Sequence, residues 1–355
     1  MSARQEPPGL NLPYRPAEVG DGMLRVGVLA ELPPVLRRLG HDHERVLRDL
    51  DLPSDFLDDP ERTLPFRLAG VLVERCARLT GCPHIGLLVG QRGGLDTVGV
   101  VGLLARHTPD VGSALRCIVQ YLHLHDRGGC PTLAVEGASA TLGYAIFGRD
   151  VPASDQVYAG GIAVACAMMR ELCGAEWNPA EVQLPFRRPA DIAPYKAYFR
   201  APLRFGADHS ALAFPAKSLD EPLAGADPKI CAAMEAFIAG FAAARKNEVA
   251  GQVRRTVLAL LMSGKVAEPE VARVFAIHHR TLGRRLQTEG TTFQRILGEV
   301  RYDVACQLLR DTDNSVEDIA ATLGYAGASP FIRAFRQWSG STPMAWRNGS
   351  GRPPG

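Results

Sequence analysis

No run of apolar residues in this chain reaches the ~20 that a membrane-crossing helix needs. The longest strongly apolar, uncharged stretch, Gln156 to Met169, falls short of it. The N-terminus, Met1-Ser-Ala-Arg-Gln-Glu-Pro-Pro, lacks the basic-then-apolar pattern of a secretory signal. A soluble, cytoplasmic protein with no membrane partner is expected. The eight cysteines, at 76, 82, 117, 130, 166, 173, 231 and 306, include no Cys-x-x-Cys pair. Most sit inside apolar runs, so buried, reduced thiols are expected rather than zinc or redox sites. There is no Gly-rich phosphate loop, no G-x-S-x-G elbow and no catalytic triad order. His41-Asp42-His43-Glu44 and His123-Leu-His125-Asp126 pair their histidines at i, i+2, and such side chains diverge on a helix. No catalytic residue, metal or cofactor is therefore expected, and the chain reads as a non-enzyme.

Net charge is also nearly missing, at +2 over 355 residues. Its distribution is uneven. From Arg245 to Gly355 there are 16 Lys+Arg against 10 Asp+Glu, while the rest of the chain holds 24 against 28. A basic C-terminal third on an acidic body fits a nucleic-acid module attached to something else. The length accommodates two domains, each with its own core.

What is present is a duplication. Val271-Ala272-Arg-Val-Phe275 and Ile319-Ala320-Ala-Thr-Leu323 share one pattern. Each precedes a short break and an Arg-bearing apolar segment, Thr281-Leu-Gly-Arg-Arg-Leu286 and Phe331-Ile-Arg-Ala-Phe335. Each unit closes on Gly-[Thr/Ser]-Thr, at Gly290–Thr292 and Gly340–Thr342. Both units read helix, tight turn, helix. In the first, a helix over 268–275 leads through Ala276-Ile277-His278 to a helix over 279–287. Leu282 and Leu286 point inward at i, i+4, and Arg280, Gly283 and Arg284 outward. A helix over 293–310 connects the units. In the second unit, Asp313 or Ser315 caps 316–323, and Ser329-Pro330 opens a helix to Trp338. Phe331, Phe335 and Trp338 face its core; Ser329, Ile332, Arg333 and Arg336 face out. A second helix with outward arginines is the helix-turn-helix arrangement, whose Arg side chains bond guanine edges or grip phosphate.

Upstream, residues 1–22 read as a disordered leader, rich in Pro and Gly. To about Leu95 the chain reads helical, with an apolar stripe at Leu68, Val71, Leu72, Cys76 and Leu79 stopped by Gly81. Thr108-Pro109-Asp110 reads as another helix start, with Thr108 as cap. Thr132–Glu136 and Ala140–Phe147, separated by Gly137, read as a hairpin. A small-residue-rich helix follows over 154–172. Two more strands are expected at Glu181–Arg187, which Pro185 makes an edge strand or a short one, and at Ala211–Phe214. The expected organisation is a leader 1–22, an α+β domain 23–226, a linker helix 227–246, an all-α double helix-turn-helix domain 247–348 and a tail 349–355. For a small-molecule pocket, Tyr144, Trp177, Arg187, Arg188 and Arg204 are the right residue types, though none is assigned.

Residues 247–348 resemble the C-terminal domain of the AraC/XylS family of transcription regulators. The resemblance is carried by Arg280–Leu286, Glu289–Phe293, Arg301…Ala305-Cys-Gln-Leu-Leu309, Ile319-Ala…Leu-Gly-Tyr325 and Phe331–Pro343. Residues 25–225 resemble more loosely the ligand domain, called arabinose-binding, of the branch holding ornithine-utilisation-type regulators. That likeness rests on Arg78–Gly81, Trp177-Asn-Pro179, Phe186–Pro189, Tyr195…Phe199–Gly206 and Ala211–Phe214. The resemblance implies a sequence-specific regulator controlled by a small-molecule effector, bound to double-stranded operator DNA as a homodimer and contacting RNA polymerase. It places His279, Arg280, Gly283 and Arg284 toward bases in the first reader, where Thr281 is also expected to bind DNA. In the second it places Ala328, Ser329, Pro330, Ile332 and Arg333 there, with Arg336 near phosphate. His278 stands where a Ser cap is usual. Gly283 stands where Gln is frequent, at a helix cost of ~1 kcal/mol. Two other functions remain open: an enzyme, such as an alkyl-transfer repair protein, fused to this module, or a non-specific architectural DNA-binding protein.

Overall fold

The computed structural model describes residues 19–20, 22–147, 151–243, 249–262, 266–274 and 278–349. Most of the segment read as a leader lies outside them, but Val19 is buried. The first layer is a helical cap: α1 (Leu32–Arg38), α2 (His43–Arg48), α3 (Phe66–Thr80) and α4 (Ile85–Gly90), with a two-stranded ribbon of β1 (Met23–Arg25) and β2 (Thr63–Pro65). Helix α3 ends at Gly81, whose φ of 63° is the left-handed conformation that glycine adopts without a Cβ penalty. Its buried side is Phe66, Ala69, Leu72, Val73 and Cys76. Leu68, Val71 and Leu79 of the expected stripe are only half-buried, at the margins of that face.

The chain continues through α5 (Val100–Arg106) and α6 (Val111–Tyr121). Thr108 is not the cap of α6. Asp110 is, accepting from the Ser113 amide at 2.6 Å, while the Thr108 hydroxyl turns back to the Ala105 carbonyl. A carboxylate one residue before the first turn satisfies the same orphan amide better than a hydroxyl three residues away.

The central sheet holds β3 (Gly129–Glu136), β4 (Ser139–Ile146), β5 (Glu181–Leu184), β6 (Leu203–Phe205) and β7 (Ser210–Pro215), in the order β3-β4-β7-β5-β6. The expected hairpin is present, turning at Gly137 with φ 59°. Pro185 ends β5 after four residues rather than making it an edge: β5 lies between β7 and β6, and β6 is the edge. Strand β6, unforeseen from sequence, pairs parallel to β5 through the crossover helix α8 (Ala193–Phe199).

The long helix α7 (Ser154–Cys173) lies between the sheet and α4. Gly86 and Gly90 share one face of α4 at i, i+4, and a Cβ on either would fall far inside contact distance of the α7 backbone at Gln156 and Gly160. The small residues of both helices therefore let two backbones nearly touch. Helix α9 (Pro228–Ala243) leads toward the C-terminal helices. Among the described residues no helix is long and apolar enough to cross a membrane.

Candidate nucleic-acid interface and effector cavity

The C-terminal domain comprises α10 (Val249–Met262), α11 (Glu268–Val274), α12 (His279–Thr288), α13 (Phe293–Asp311), α14 (Val316–Thr322), α15 (Ala328–Ser339) and α16 (Pro343–Asn348). Residues 275–277, expected to end the first helix and form its turn, lie outside the described residues. The repeated Gly-[Thr/Ser]-Thr has one mechanical meaning in both units. Gly290 (φ 73°) and Gly340 (φ 75°) turn the chain out of the preceding helix in the left-handed conformation. Thr292 and Thr342 then cap the next helix, each accepting a backbone N–H at 3.2 Å. His278 caps α12 through its imidazole, accepting from the Arg280 amide at 3.3 Å. Ser315 caps α14 in a reciprocal box with Asp318. Helix α15 starts at Ala328 behind Gly327, so Ser329 and Pro330 occupy its first turn rather than its cap.

Both reader helices are strongly two-faced. Leu282 and Leu286 of α12 and Phe331 and Phe335 of α15 are fully buried. His279, Arg280, Arg284, Ser329, Arg333 and Arg336 are exposed; Thr281, Gly283, Ala328, Pro330 and Ile332 are half-buried. Among the described residues, the side chains of Arg280, Arg284, Arg333 and Arg336 make no ion pair or hydrogen bond. Arg301 does structural work instead, its guanidinium lying 4.6 Å from the Tyr325 ring centroid. Arg254 and Arg295 are both committed to Glu299. Two sets of uncommitted arginines on corresponding helices are thus available to a polyanion.

The sheet is shared between the domains. Cys130 of β3 pairs with Ala145 of β4, and both side chains join the C-terminal domain's core. The next pair, Pro131 and Tyr144, faces the opposite way and lines a cavity. Polar ties flank this contact: Ser154 to Asp311 at 3.0 Å, Arg187 to Asp313 at 3.0 Å, and Asn314 to Asp208 at 2.8 Å. Cys130 is itself inert, since burial pushes its thiol up to about 12. An alkyl-accepting cysteine needs a depressed value and access.

The cavity has a volume of about 150 Å³ and apolar walls that include Leu24, Phe66, Ile118, Leu142 and Met168. Its polar end is the His125-Asp126 corner, sewn to β1 through Arg25 N–H to the His125 carbonyl and Arg127 N–H to the Met23 carbonyl, both 2.9 Å. Asp126 accepts from the Gly128 and Gly129 amides at 2.8 and 3.0 Å and from the Tyr144 hydroxyl at 2.5 Å. Burial raises its carboxyl and these bonds oppose the shift. Of the residues expected to suit a pocket, only Tyr144 lines this one. Arg187 reaches the C-terminal domain, Arg204 pairs with Glu181, and Trp177 packs edge-on against Phe214. Arg188 is exposed and does not line it. His125, set aside in sequence as half of an improbable metal pair, was the missed residue. Sequence held no signal for it, because its neighbours come from β1 and the cap.

Burial, with the Arg25 guanidinium alongside, pushes the His125 imidazole down to about 3. The folded protein keeps it neutral, whereas the unfolded chain protonates it near its ordinary value of 6.5. Its contribution is therefore intact above that value and is lost as pH falls toward 3. Between pH ~7 and ~5 the loss is about 2 kcal/mol. The raised Asp126 acts in the opposite sense, so the histidine is isolated by difference. Thermal denaturation should show a smaller acid-induced drop for His125→Gln than for the parent; equal drops would contradict a neutral buried imidazole.

Residues 40–223, more than half of the chain, match the family model described as the arabinose-binding domain of AraC transcription regulator, N-terminal. Residues 271–349 match a helix-turn-helix domain model. The chain is 29% identical over 308 residues to the ornithine utilization regulator of Pseudomonas aeruginosa, covering 82% of this chain and 87% of that protein. It is 27% identical over 325 residues to the HTH-type transcriptional regulator VirS of Mycobacterium tuberculosis, covering 88% and 93%. A solved structure, the transcriptional regulator CdpR from Pseudomonas aeruginosa, aligns at 26% identity over 88% of this chain and 97% of that one, with a TM-score of 0.42. An α+β ligand domain joined to two capped helix-turn-helix units, with both regions matched by these models, makes the chain a member of the AraC family of transcription regulators, in the branch with the arabinose-binding type of N-terminal domain.

Proposed function

We propose that α12 and α15 enter successive major-groove faces of operator DNA, about 34 Å apart along one side of the duplex, and that they do unequal work. The carrying observation is the pair of uncommitted, exposed arginine faces on two helices ended and followed by the same Gly-x-Thr device. Helix α12 offers His279, Arg280, Thr281 and Arg284, a polar face suited to base edges. Helix α15 offers Ser329, Ile332 and Arg333 with Arg336 behind, suited to phosphate grip and thymine methyl contact. Two copies of the chain bind paired half-sites as a homodimer in the cytoplasm, and the bound pair contacts RNA polymerase. Control reaches the DNA through the shared sheet. Tyr144 lines the cavity while its neighbour Ala145 packs in the C-terminal core, so an effector that favours one position of β4 biases the reader domain.

Gel-shift titration tests the reader assignment. Arg284→Ala and Arg333→Ala should each weaken specific binding by ~1–3 kcal/mol. Arg284→Ala should also relax sequence preference, while Arg333→Ala should mainly flatten the salt dependence, by a slope of about 1. Unchanged affinity in both variants would sink the assignment. Equal competition by random DNA would mark an architectural protein instead.

A further inference from the structure

We propose that the cavity beneath Tyr144 takes an uncharged, mainly apolar molecule about the size of a substituted benzene ring, anchored by one hydrogen bond to His125. This rests on the reading of the N-terminal domain as an effector domain and states which chemistry that domain senses.

Size sets the first limit. A cavity of about 150 Å³ is in the range of apolar protein cavities that accept benzene. A ligand of roughly six to nine non-hydrogen atoms fills it.

Charge sets the second. No Lys or Arg lines the cavity, and its carboxylate, Asp126, already accepts three hydrogen bonds. An anionic head would meet no lining cation, since the nearby Arg25 is held by Glu61 and the Leu124 carbonyl, and an ammonium would have to compete with the bonds that hold Asp126. Either costs several kcal/mol. A sugar fails for a related reason. Each of its hydroxyls needs a partner, and the other polar side chains at the walls are occupied. Gln156 donates to the Pro83 carbonyl at 2.6 Å and accepts from the Gly86 amide at 3.0 Å. Thr97 is closed on Gly94 in both directions, at 2.7 and 3.2 Å.

His125 sets the anchor. It is 9% exposed, it lines the cavity, and among the described residues its ring makes no hydrogen bond. A neutral imidazole offers one donor and one acceptor, enough for a single hydroxyl or carbonyl. The ring lies close against Gly27, where a Cβ would collide with it. The Tyr144 hydroxyl lies at the same polar end of the cavity, bonded to Asp126, so a ligand held by His125 presses on the strand that carries Ala145 into the other domain.

The test uses the full chain with five probes: 4-ethylphenol and ethylbenzene as neutral ligands, and benzoate, L-arabinose and L-ornithine as charged or polyhydroxy ones. Binding is read by calorimetry and by thermal shift, which rises with ligand saturation. Val164→Phe fills the cavity from its α7 wall, and His125→Phe removes the anchor while keeping an apolar ring. The expected result is binding of 4-ethylphenol and ethylbenzene that Val164→Phe abolishes, with no binding of the other three. His125→Phe should weaken 4-ethylphenol about tenfold, the loss of one buried hydrogen bond, and leave ethylbenzene unchanged; His125→Gln, which keeps a donor and an acceptor, should hold 4-ethylphenol within a few-fold. Binding of benzoate, arabinose or ornithine that Val164→Phe removes overturns the ligand class and leaves the effector domain standing. Equal loss of both neutral ligands in His125→Phe overturns the anchor. No binding by any probe at millimolar concentration overturns the proposal and removes support for an effector at this site.

Discussion

Phe335→Ala is expected to lower the stability of the C-terminal domain by about 3–5 kcal/mol and to abolish DNA binding with it. The ring is fully buried and meets Tyr302, Phe331 and Trp346 at centroid distances of 5.5, 5.7 and 6.1 Å. It thus ties α15 to α13 and α16 at once, beside the contacts that Phe331 and Trp338 make with Tyr325 and Tyr302. Truncation removes the transfer energy of the ring and leaves a hole that three aromatic neighbours cannot close without moving. The control lies on the same helix. Arg333→Ala, two residues earlier and exposed, should change stability by less than about 0.5 kcal/mol while weakening DNA binding. Urea denaturation followed by circular dichroism separates the two. A loss below about 1 kcal/mol for Phe335→Ala would show that this cluster is not what positions α15.

Gly90→Val is expected to disrupt the N-terminal domain, by about 3 kcal/mol, at the upper end of the usual range for overpacking. The obstacle is backbone, the Gly160 carbonyl of α7, and a carbonyl cannot rotate away as a side chain can. Helices α4 and α7 would have to separate, and the cavity wall they share would open. Glycine does not always matter in this way. Among the described residues, a Cβ at Gly283 would meet only a Glu268 carboxylate oxygen at 3.7 Å, in an ordinary helical backbone. Gly283→Ala should therefore stabilise, by roughly 0.5–1 kcal/mol. Opposite signs for the two changes are the expected result. A tolerated Gly90→Val would mean that the close approach of α4 and α7 is not required.

The C-terminal domain was legible in the sequence because its determinants are local. Helix spacing sorts Leu282 and Leu286 from Arg280 and Arg284 within one turn, and the burial pattern follows that sorting. The Gly-[Thr/Ser]-Thr repeat reads as a stop and a start because a left-handed glycine and a threonine cap act on their own neighbours. Local rules failed where two residues competed for one task. Thr108 and Asp110 both qualify as caps for α6, and only the path of the chain decides that Asp110 lies at the helix mouth. Strand β6 was missed because three residues after a proline carry too little pattern, and pairing with β5 supplies what propensity does not.

The cavity was not legible. Leu24, Phe66, Ile118, His125, Tyr144 and Gln156 are scattered over some 130 positions, and no spacing rule links them. Of the arginines that looked suited to a ligand, Arg187 serves the domain contact and Arg204 a surface pair, because residue type says nothing about direction. By itself the sequence determined a double helix-turn-helix domain with two unlike outward helix faces: capping and periodicity are written within a few residues of where they act. Only the tertiary structure decided what the other domain can sense. A cavity and its polar end arise where distant segments fail to fill the space between them, and one side of the sheet reaches the C-terminal core only because strand pairing puts Cys130 beside Ala145.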